Sequence, residues 1–331
     1  MKVSIFGGGS WGSTLANVLS DNKNEVLIYA RDKKSVDNIN KFHLHPFFGG
    51  LHLNDDIKAT NDISSAIDFS SIYIIATPSS AVRDLLKEIN SLLNKKVFFI
   101  NVAKGIEPSS LKTISEVFYD EIDPQYIKGY STLSGPSHAE EVILRKLTLL
   151  VSASTNLDDA IFTQKLFSNN VYIRVYTSTD LKSVEVAGSI KNAIALISGI
   201  LTGINLGENS RAALISRGIY EIVKITTTMG GKKETVFGLS GIGDLIVTAL
   251  STNSRNYSAG IKIGKGEKLD KIVKSSKMVI EGIRAIEAGH LIAKKYHLDL
   301  PIIETAYKVL YKGVSPLDGI SNLMKRKLKS E

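Results

Sequence analysis

The chain has 331 residues, of which 43% are hydrophobic and 22% charged, a composition typical of a soluble globular protein with two domains. It contains no cysteine, which excludes disulfides, thiolate zinc sites and cysteine nucleophiles, and no metal site is expected. The net charge of +8 comes from scattered lysines, which fits either a solvated basic surface or a mild attraction for phosphorylated ligands. No basic run is interleaved with aromatic residues, so nucleic-acid binding is not expected.

The first half of the sequence alternates apolar runs with helical patterns. The runs predict five strands, at Val3–Phe6, Val26–Ala30, Ile72–Ala76, Val97–Val102 and Leu147–Ser152. The first run is followed by glycines, as in a strand and turn and unlike a secretory signal. Continuous apolar strands joined by helices predict an α/β fold, an N-terminal Rossmann-type doubly wound parallel sheet.

After about Asp180 the strand-like runs give way to long helical patterns, which lie at Thr179–Ile204, Asn209–Met229, Lys277–Tyr296 and Glu304–Tyr311. This change predicts a sheet domain over residues 1–180, followed by an all-helical C-terminal domain over residues 181–331. The motifs described next are the reason to interpret the first as the dinucleotide-binding domain and the second as the domain that binds substrate and carries the catalytic residues.

A glycine-rich turn separates the first strand from the helix predicted at Ser10–Ser20. It fits the pattern G-x-G-x-x-G through Gly7, Gly9 and Gly12. The first glycine allows the tight turn, the second lets backbone N–H groups approach phosphates, and the third packs the helix against the strand. In this position the turn predicts a site for the pyrophosphate of NAD(P).

The end of the second strand bears on the choice of cofactor. NAD sites usually place an acid there, where it binds the ribose hydroxyls, but this chain has Ala30 followed by Arg31. A small residue and an arginine favour the 2′-phosphate of NADP, while the next residue, Asp32, keeps NAD open.

Two further strand ends carry polar or unusual residues. Thr77–Ser79 follows the third predicted strand, where Pro78 could shape the wall near the cofactor. Lys104 follows the fourth predicted strand and could bind substrate or phosphate, or be an exposed loop lysine. The turn at 134–139 consists mostly of small residues that allow a ligand to approach closely. Within it, His138 could act in acid–base chemistry or cap the next helix.

Lys191 is the only charged residue between Val186 and Gly207. An amine in so apolar a helix is costly unless it faces a cleft or a partner, and desolvation would lower its pKa towards the range that acid–base catalysis needs. The alternative is a snorkelling or ion-paired lysine. The uncharged stretch is too short to span a bilayer, so no stable membrane insertion is expected.

Three later segments complete the pattern. Asp244 follows a glycine turn, where it could cap a helix, or hold the reactive lysine or a substrate hydroxyl. The run 254–257 opens a helix with Ser, Arg and Asn, the groups of a phosphate site. Glu281 begins another helix and could simply complement its dipole.

In their order and spacing these motifs resemble the bacterial NAD(P)-dependent glycerol-3-phosphate dehydrogenases, the soluble biosynthetic kind, over nearly the whole chain. The matching segments are Gly7–Gly12, Ala76–Ser79, Lys104–Glu107, Ser134–Ala139, Lys191-Asn192, Gly238–Leu245, Asn253–Tyr257 and Val279–Gly282. The chain departs from the family at His45–Gly50, which replaces a Tyr-Leu-Pro segment and leaves Phe48 in doubt as a cofactor contact. Ser198 and Ser240 stand where the family often has alanine.

The resemblance implies a role for each matching residue. Lys191 would be the catalytic acid–base, with Lys104 and Asp244 beside it. The cofactor contacts would be Gly7, Gly9, Ser10, Trp11, Gly12, Arg31, Lys104, Ala139, Arg255, Val279 and Glu281. The substrate contacts would be Lys104, Gly135, Ser137, Lys191, Asp244, Ser254, Arg255 and Asn256.

The resemblance also implies the reaction: reduction of dihydroxyacetone phosphate to sn-glycerol 3-phosphate with NADPH or NADH, NADP being favoured. A cytoplasmic homodimer that supplies phospholipid biosynthesis is expected. Two alternatives stay open. One is a 6-phosphogluconate or β-hydroxyacid dehydrogenase, which shares the cofactor turn and a helix lysine. The other is a cofactor-sensing regulator without catalysis, which leaves Lys191 unexplained.

Overall fold

A computed structural model of the chain describes residues 1–276, 279–328 and 330. The chain divides into two compact units. The sheet unit contains Met1–Lys104 and Lys112–Leu181, and the helical unit contains Gly105–Leu111 and Lys182–Glu331. The short segment 105–111 therefore clusters with the helical unit although it lies within the sequence of the sheet unit. The functional boundary expected between residues 180 and 181 stays a prediction.

The sheet unit is built on one eight-stranded sheet, which confirms the predicted fold class. Its strands are β1 (Lys2–Phe6), β2 (Glu25–Tyr29), β3 (Lys58–Thr60), β4 (Ile72–Ile75), β5 (Val97–Asn101), β8 (Ile127–Ser134), β9 (Thr148–Ala153) and β10 (Ile173–Ser178). Their order is β10-β9-β8-β5-β4-β1-β2-β3, and β8–β9 is the one antiparallel pair in this sheet as described. The five predicted strands are present, and β3, β8 and β10 are additional. Two short strands are β6 (Ile106–Glu107) and β7 (Lys112–Thr113).

The sheet unit, which is described throughout, contains seven α-helices, three of which begin at a capping Asp or Asn side chain. They are α1 (Ser10–Asp21), α2 (Lys33–Phe42), α3 (Ile63–Phe69), α4 (Val82–Leu92), α5 (Ile114–Glu121), α6 (Ala139–Val142) and α7 (Leu157–Phe167). Asp32, Asp62 and Asn156 accept backbone hydrogen bonds at the starts of α2, α3 and α7. The central strands β1, β4 and β5 are almost wholly buried, as expected for a parallel sheet covered on both faces.

The helical unit consists of packed helices of unequal length. They are α8 (Leu181–Gly203), α9 (Gly207–Thr228), α10 (Lys233–Val236), α11 (Asp244–Ala249), α12 (Arg255–Gly264), α13 (Leu269–Ser275), α14 (Glu281–Tyr296), α15 (Pro301–Tyr311) and α16 (Pro316–Met324). The helix predicted from Lys277 is observed from Glu281, and Lys277 itself lies outside the described residues.

Helix α8 is long and apolar enough to cross a membrane by length and composition. However, 94% of its apolar 18-residue window is buried inside the structure, with Val186, Ile190 and Ile194 fully enclosed. It is the core helix of the helical unit, as expected for a soluble protein.

Candidate active site

The glycine turn after β1 has the geometry that its sequence predicts. Gly7 has φ +132°, which L side chains rarely adopt, and a Cβ there would overlap the carbonyl of Ala76. A Cβ on Gly12 would overlap the carbonyl of Gly7, so α1 packs directly on the turn. The first and third glycines are therefore required by the fold.

Gly9 differs from its two neighbours in the motif. A Cβ on Gly9 would meet no protein atom within 4 Å among the described residues, and its φ of −75° is open to any residue. Gly9 precedes the first turn of α1, where backbone N–H groups and the helix dipole favour an anion. The space that a side chain would fill is where a pyrophosphate would approach, so these residues fit a bound dinucleotide.

This contrast gives a paired prediction. Gly9→Ala is expected to keep the wild-type melting temperature and to weaken NADPH binding by roughly 10-fold, since the methyl group occupies the phosphate's space. Gly12→Ala should instead lower the melting temperature, because its Cβ overlaps the backbone of the turn. Thermal denaturation and cofactor titration of both variants check this, and an unchanged affinity in Gly9→Ala would contradict it.

At the end of β2, Ala30 is buried and Arg31 is exposed. Asp32 caps α2, where its carboxylate accepts hydrogen bonds from the backbone N–H groups of Lys34 (3.2 Å) and Ser35 (3.0 Å). Hydrogen bonds from Ser35 lower the pKa of this carboxyl below its usual value. The carboxylate that could bind the ribose hydroxyls of NAD therefore already accepts hydrogen bonds from the first turn of α2.

Three predicted substrate contacts come together where the neighbouring strands β5 and β8 end. Lys104 Nζ and Ser137 Oγ both donate to the carbonyl of Gly135, at 3.2 and 3.0 Å. Gly135 itself has φ +130°, which favours glycine at this turn. Ala139 starts α6 and is buried. His138 lies at the N-cap position of this helix. In this fully described segment its side chain makes no capping hydrogen bond, so the capping role considered for it is not observed.

Lys191 lies on α8 and is only 5% exposed. Its Nζ donates to Asp244 Oδ1 at 2.8 Å and to Thr248 Oγ1 at 2.6 Å. Asp244 is the first residue of α11 and follows a π-helical turn at Leu239–Gly243. Its carboxylate favours the ammonium form of the lysine. It therefore opposes the effect of desolvation, which was expected from the sequence to disfavour that charged form. Among the roles considered for Asp244, this geometry matches that of holding the lysine in place.

Asn256 connects three helices of the helical unit. Its Nδ2 donates to Asn192 Oδ1, and its Oδ1 accepts from the backbone N–H of Gly282, both at 2.9 Å. Asn192 follows Lys191 on α8, so this network fixes the starts of α12 and α14 against the helix that carries the lysine.

The remaining predicted contacts lie at helix starts of the same unit. Ser254 caps α12 by accepting from the N–H of Tyr257 at 3.2 Å, and Arg255 follows it with an exposed side chain. Glu281 is half-buried in the first turn of α14, and Val279 is exposed just before it.

The sequence interpretation missed Thr248 and the glycines that join α8 to α12. A Cβ on Gly199 or Gly203 of α8 would overlap carbonyls of α12, and a Cβ on Gly260 or Gly264 of α12 would collide with carbonyls of α8. The two backbones therefore touch along this stretch. The signal was present in the sequence as two G-x-x-x-G pairs.

Comparison with known families covers both units. Residues 2–160 match the model of the N-terminus of NAD-dependent glycerol-3-phosphate dehydrogenase, and residues 180–321 match the model of its C-terminus. A protein from Acholeplasma laidlawii named glycerol-3-phosphate dehydrogenase [NAD(P)+] is 52% identical over 331 residues, 100% of this chain and 99% of its own length. One of the same name from Staphylococcus carnosus is 43% identical with the same coverage.

Solved structures agree with these matches. Glycerol-3-phosphate dehydrogenase from Coxiella burnetii is 28% identical with a TM-score of 0.92, covering 98% of this chain and 99% of that one. A ketopantoate reductase from Ralstonia eutropha, 14% identical with a TM-score of 0.64 over 94% of this chain and 97% of that one, shares the fold alone. From its matches in both halves and its identity to these relatives, the chain belongs to the family of NAD-dependent glycerol-3-phosphate dehydrogenases.

Proposed function

We propose that the protein reduces dihydroxyacetone phosphate to sn-glycerol 3-phosphate with NADPH or NADH, reversibly, and thereby supplies phospholipid biosynthesis. The observation that carries the proposal is the buried amine of Lys191, held at 2.8 Å by Asp244, in a chain whose relatives are named glycerol-3-phosphate dehydrogenase. A regulator without catalysis gives no reason for this arrangement, and a 6-phosphogluconate or β-hydroxyacid dehydrogenase does not fit the family.

Reduction of a ketone to an alcohol adds a hydride to carbon and a proton to oxygen. A nicotinamide cofactor held at the turn Gly7–Gly12 would supply the hydride. Lys191 then stabilises the negative charge that develops on the substrate oxygen and donates the proton to it, while Asp244 and Thr248 fix the direction of Nζ. General acid catalysis of this kind contributes roughly 10²–10⁴-fold to the rate.

The substrate's phosphate needs cationic and N–H donors. We assign it to Arg255 and the start of α12, where the guanidinium and the helix N-terminus both favour a phosphate. As the resemblance implies, we also assign Lys104, Gly135, Ser137, Ser254 and Asn256 to substrate binding. We assign the cofactor to the glycine turn together with Ser10, Trp11, Arg31, Lys104, Ala139, Arg255, Val279 and Glu281.

The direct test follows NADPH absorbance with the purified protein. Dihydroxyacetone phosphate should drive rapid oxidation of NADPH, and sn-glycerol 3-phosphate should drive reduction of NADP+. In parallel reactions with NADP+, 6-phosphogluconate and 3-hydroxy acids should give no rate above background. Turnover with these acids and none with dihydroxyacetone phosphate would refute the proposal.

We further propose that NADPH is preferred, because Asp32 is engaged by its helix and Arg31 is exposed at the end of β2. Arg31→Ser is expected to lower kcat/KM for NADPH by roughly 10-fold, the scale of one charged hydrogen bond, and to change kcat/KM for NADH little. Lys33→Ser, a charge change two residues away, is the matched control. Equal losses for both cofactors would contradict this assignment.

We also propose that the enzyme works as a homodimer in the cytoplasm, as the resemblance implies. Light scattering coupled to size-exclusion chromatography should then give about twice the chain mass of 36.0 kDa. A mass of one chain at micromolar concentration would remove the dimer from the proposal.

A further inference from the structure

The segment between α2 and β3 contains a loop that folds back on itself, here called the 43–53 loop. Leu44 and His52 form an antiparallel bridge, and the N–H of His45 donates to the carbonyl of Leu51 at 2.9 Å. The loop contains Phe48, one of the residues considered above as a cofactor contact.

His45 is the buried polar centre of this loop, with 3% of its surface exposed. Its Nδ1 accepts hydrogen bonds from the N–H groups of Phe47 and Phe48, both at 3.2 Å. Because Nδ1 is an acceptor, the ring proton lies on Nε2, which is 3.2 Å from the carbonyl oxygen of Ser10 and 3.3 Å from Thr14 Oγ1. Burial lowers the pKa of His45 to about 4, so the ring is neutral near pH 7.

The two nitrogens therefore connect different parts of the sheet unit. Nδ1 holds the backbone of the loop. Nε2 holds Ser10, the first residue of α1, and the N-terminus of this helix is the proposed phosphate site. The ring also stacks on Phe48, with centroids 4.3 Å apart and planes 15° from parallel. Phe48 and Trp11 both pack against the edge of the same hydrophobic core.

The loop is fastened to α1 at two levels. At its base, the N–H of Asn54 donates to Asn17 Oδ1 and its Nδ2 donates to Ser20 Oγ, both at 2.9 Å. These residues lie in the later turns of α1, whereas His45 reaches the first turn. Beyond His45 the tip contains Gly49 and Gly50, and a Cβ on either would meet no atom within 4 Å in the described structure. His45 thus connects the tip of the loop to the first turn of α1, which follows the glycine turn at Gly7–Gly12.

We propose that His45 is a positioning residue that holds the first turn of α1 and the ring of Phe48 in place for the dinucleotide. The inference rests on the proposed cofactor site. This role requires a hydrogen-bond acceptor and a donor on one side chain, which a neutral imidazole provides. An apolar side chain of similar size would fill the space and leave the Phe47 and Phe48 amides and the Ser10 carbonyl without this partner.

The test compares His45→Leu with His45→Gln, which retains one acceptor and one donor. Trp11 is the only tryptophan of the chain, so its fluorescence reports on the cofactor turn without turnover. We expect His45→Leu to shift the Trp11 emission of the unliganded protein and to raise the Kd of NADPH by roughly 10-fold, with kcat at saturating cofactor within about twofold of wild type. His45→Gln should recover most of the affinity. His52 lies in the same loop but is exposed, so His52→Leu is the matched control and should behave as wild type.

Nitrogen-15 NMR of the unliganded wild-type protein provides a second, independent readout. It should show His45 protonated at Nε2 and not titrating between about pH 5.5 and 8. A proton on Nδ1, or a wild-type Kd in His45→Leu, would overturn the proposal, as would equal losses in Kd and kcat. If His45→Leu does not fold, the Gln variant and the NMR spectrum decide. A wild-type protein that neither binds nor oxidises NADPH or NADH would overturn the proposed function, and the tautomer of His45 would still be measured.

Discussion

Replacing Lys191 with methionine is expected to lower kcat by roughly 10²–10⁴-fold, the contribution of a general acid, while the Kd of NADPH changes by less than about threefold. Methionine keeps the straight side chain and fills the apolar surroundings of α8, but it offers no charge or proton to the developing alkoxide. Single-turnover kinetics and a separate cofactor titration measure the two quantities. Turnover near wild type would remove Lys191 from the mechanism.

The same substitution has a structural cost that must be separated from catalysis. Lys191 and Asp244 are both almost fully buried, so removal of the amine leaves a carboxylate without its charged partner. Breaking such a pair lowers the free energy of unfolding by about 3–5 kcal/mol, whereas replacing both members with apolar residues is often neutral. The double variant Lys191→Met with Asp244→Leu is therefore expected to recover stability but not turnover. A stable and active double variant would contradict the assigned role.

The local parts of the site could be predicted from the sequence because their geometry depends on neighbouring residues. The turn from Gly7 to Gly12 is such a case, because it joins a strand and a helix that are adjacent in the sequence. The buried amine of Lys191 was also visible, as a single charge in an apolar helix. Its second partner, Thr248, was not, because a threonine four residues after Asp244 is an ordinary helical residue until the fold brings α8 beside α11.

The strands that the sequence interpretation missed show the same limit. β8 contains serines, a threonine, a lysine and a glycine, so it lacks the apolar run of a buried strand. It is nevertheless buried from Gly129 onward. One of its polar side chains finds a partner far along the chain, since Ser131 Oγ bonds Thr163 Oγ1 at 2.6 Å. Gly129 itself faces the ring of Phe98 in β5, where a Cβ would collide. Such compensation depends on tertiary contacts that no local pattern contains.

A second large effect is expected from pH, through Glu221 in the helical unit. This carboxyl lies on α9, 3% exposed, and accepts from the N–H groups of Ile302 (2.6 Å) and Ile303 (3.0 Å) at the start of α15. Burial raises its pKa from 4.5 to about 7, against the lowering effects of these hydrogen bonds and of Lys224, while Asp299 raises it further.

The folded protein therefore holds this proton more tightly than the unfolded chain does. Between about pH 4.5 and 7 the unfolded chain has released the proton and the folded protein retains it, so stability falls as the pH rises through this window. The contribution of Glu221 should change by about 3 kcal/mol across it, at 1.36 kcal/mol for each pKa unit.

Urea denaturation of wild type and of Glu221→Gln at pH 4.5, 5.5 and 7 isolates this effect. Gln cannot ionise, and the other titrating groups are common to both proteins, including His45 in the sheet unit, whose lowered pKa acts in the opposite direction. The wild-type protein should lose stability relative to the variant as the pH rises. A difference that stays constant across the three pH values would show that Glu221 has the same pKa in the folded protein and in the unfolded chain, so that the amides of α15 offset the effect of burial.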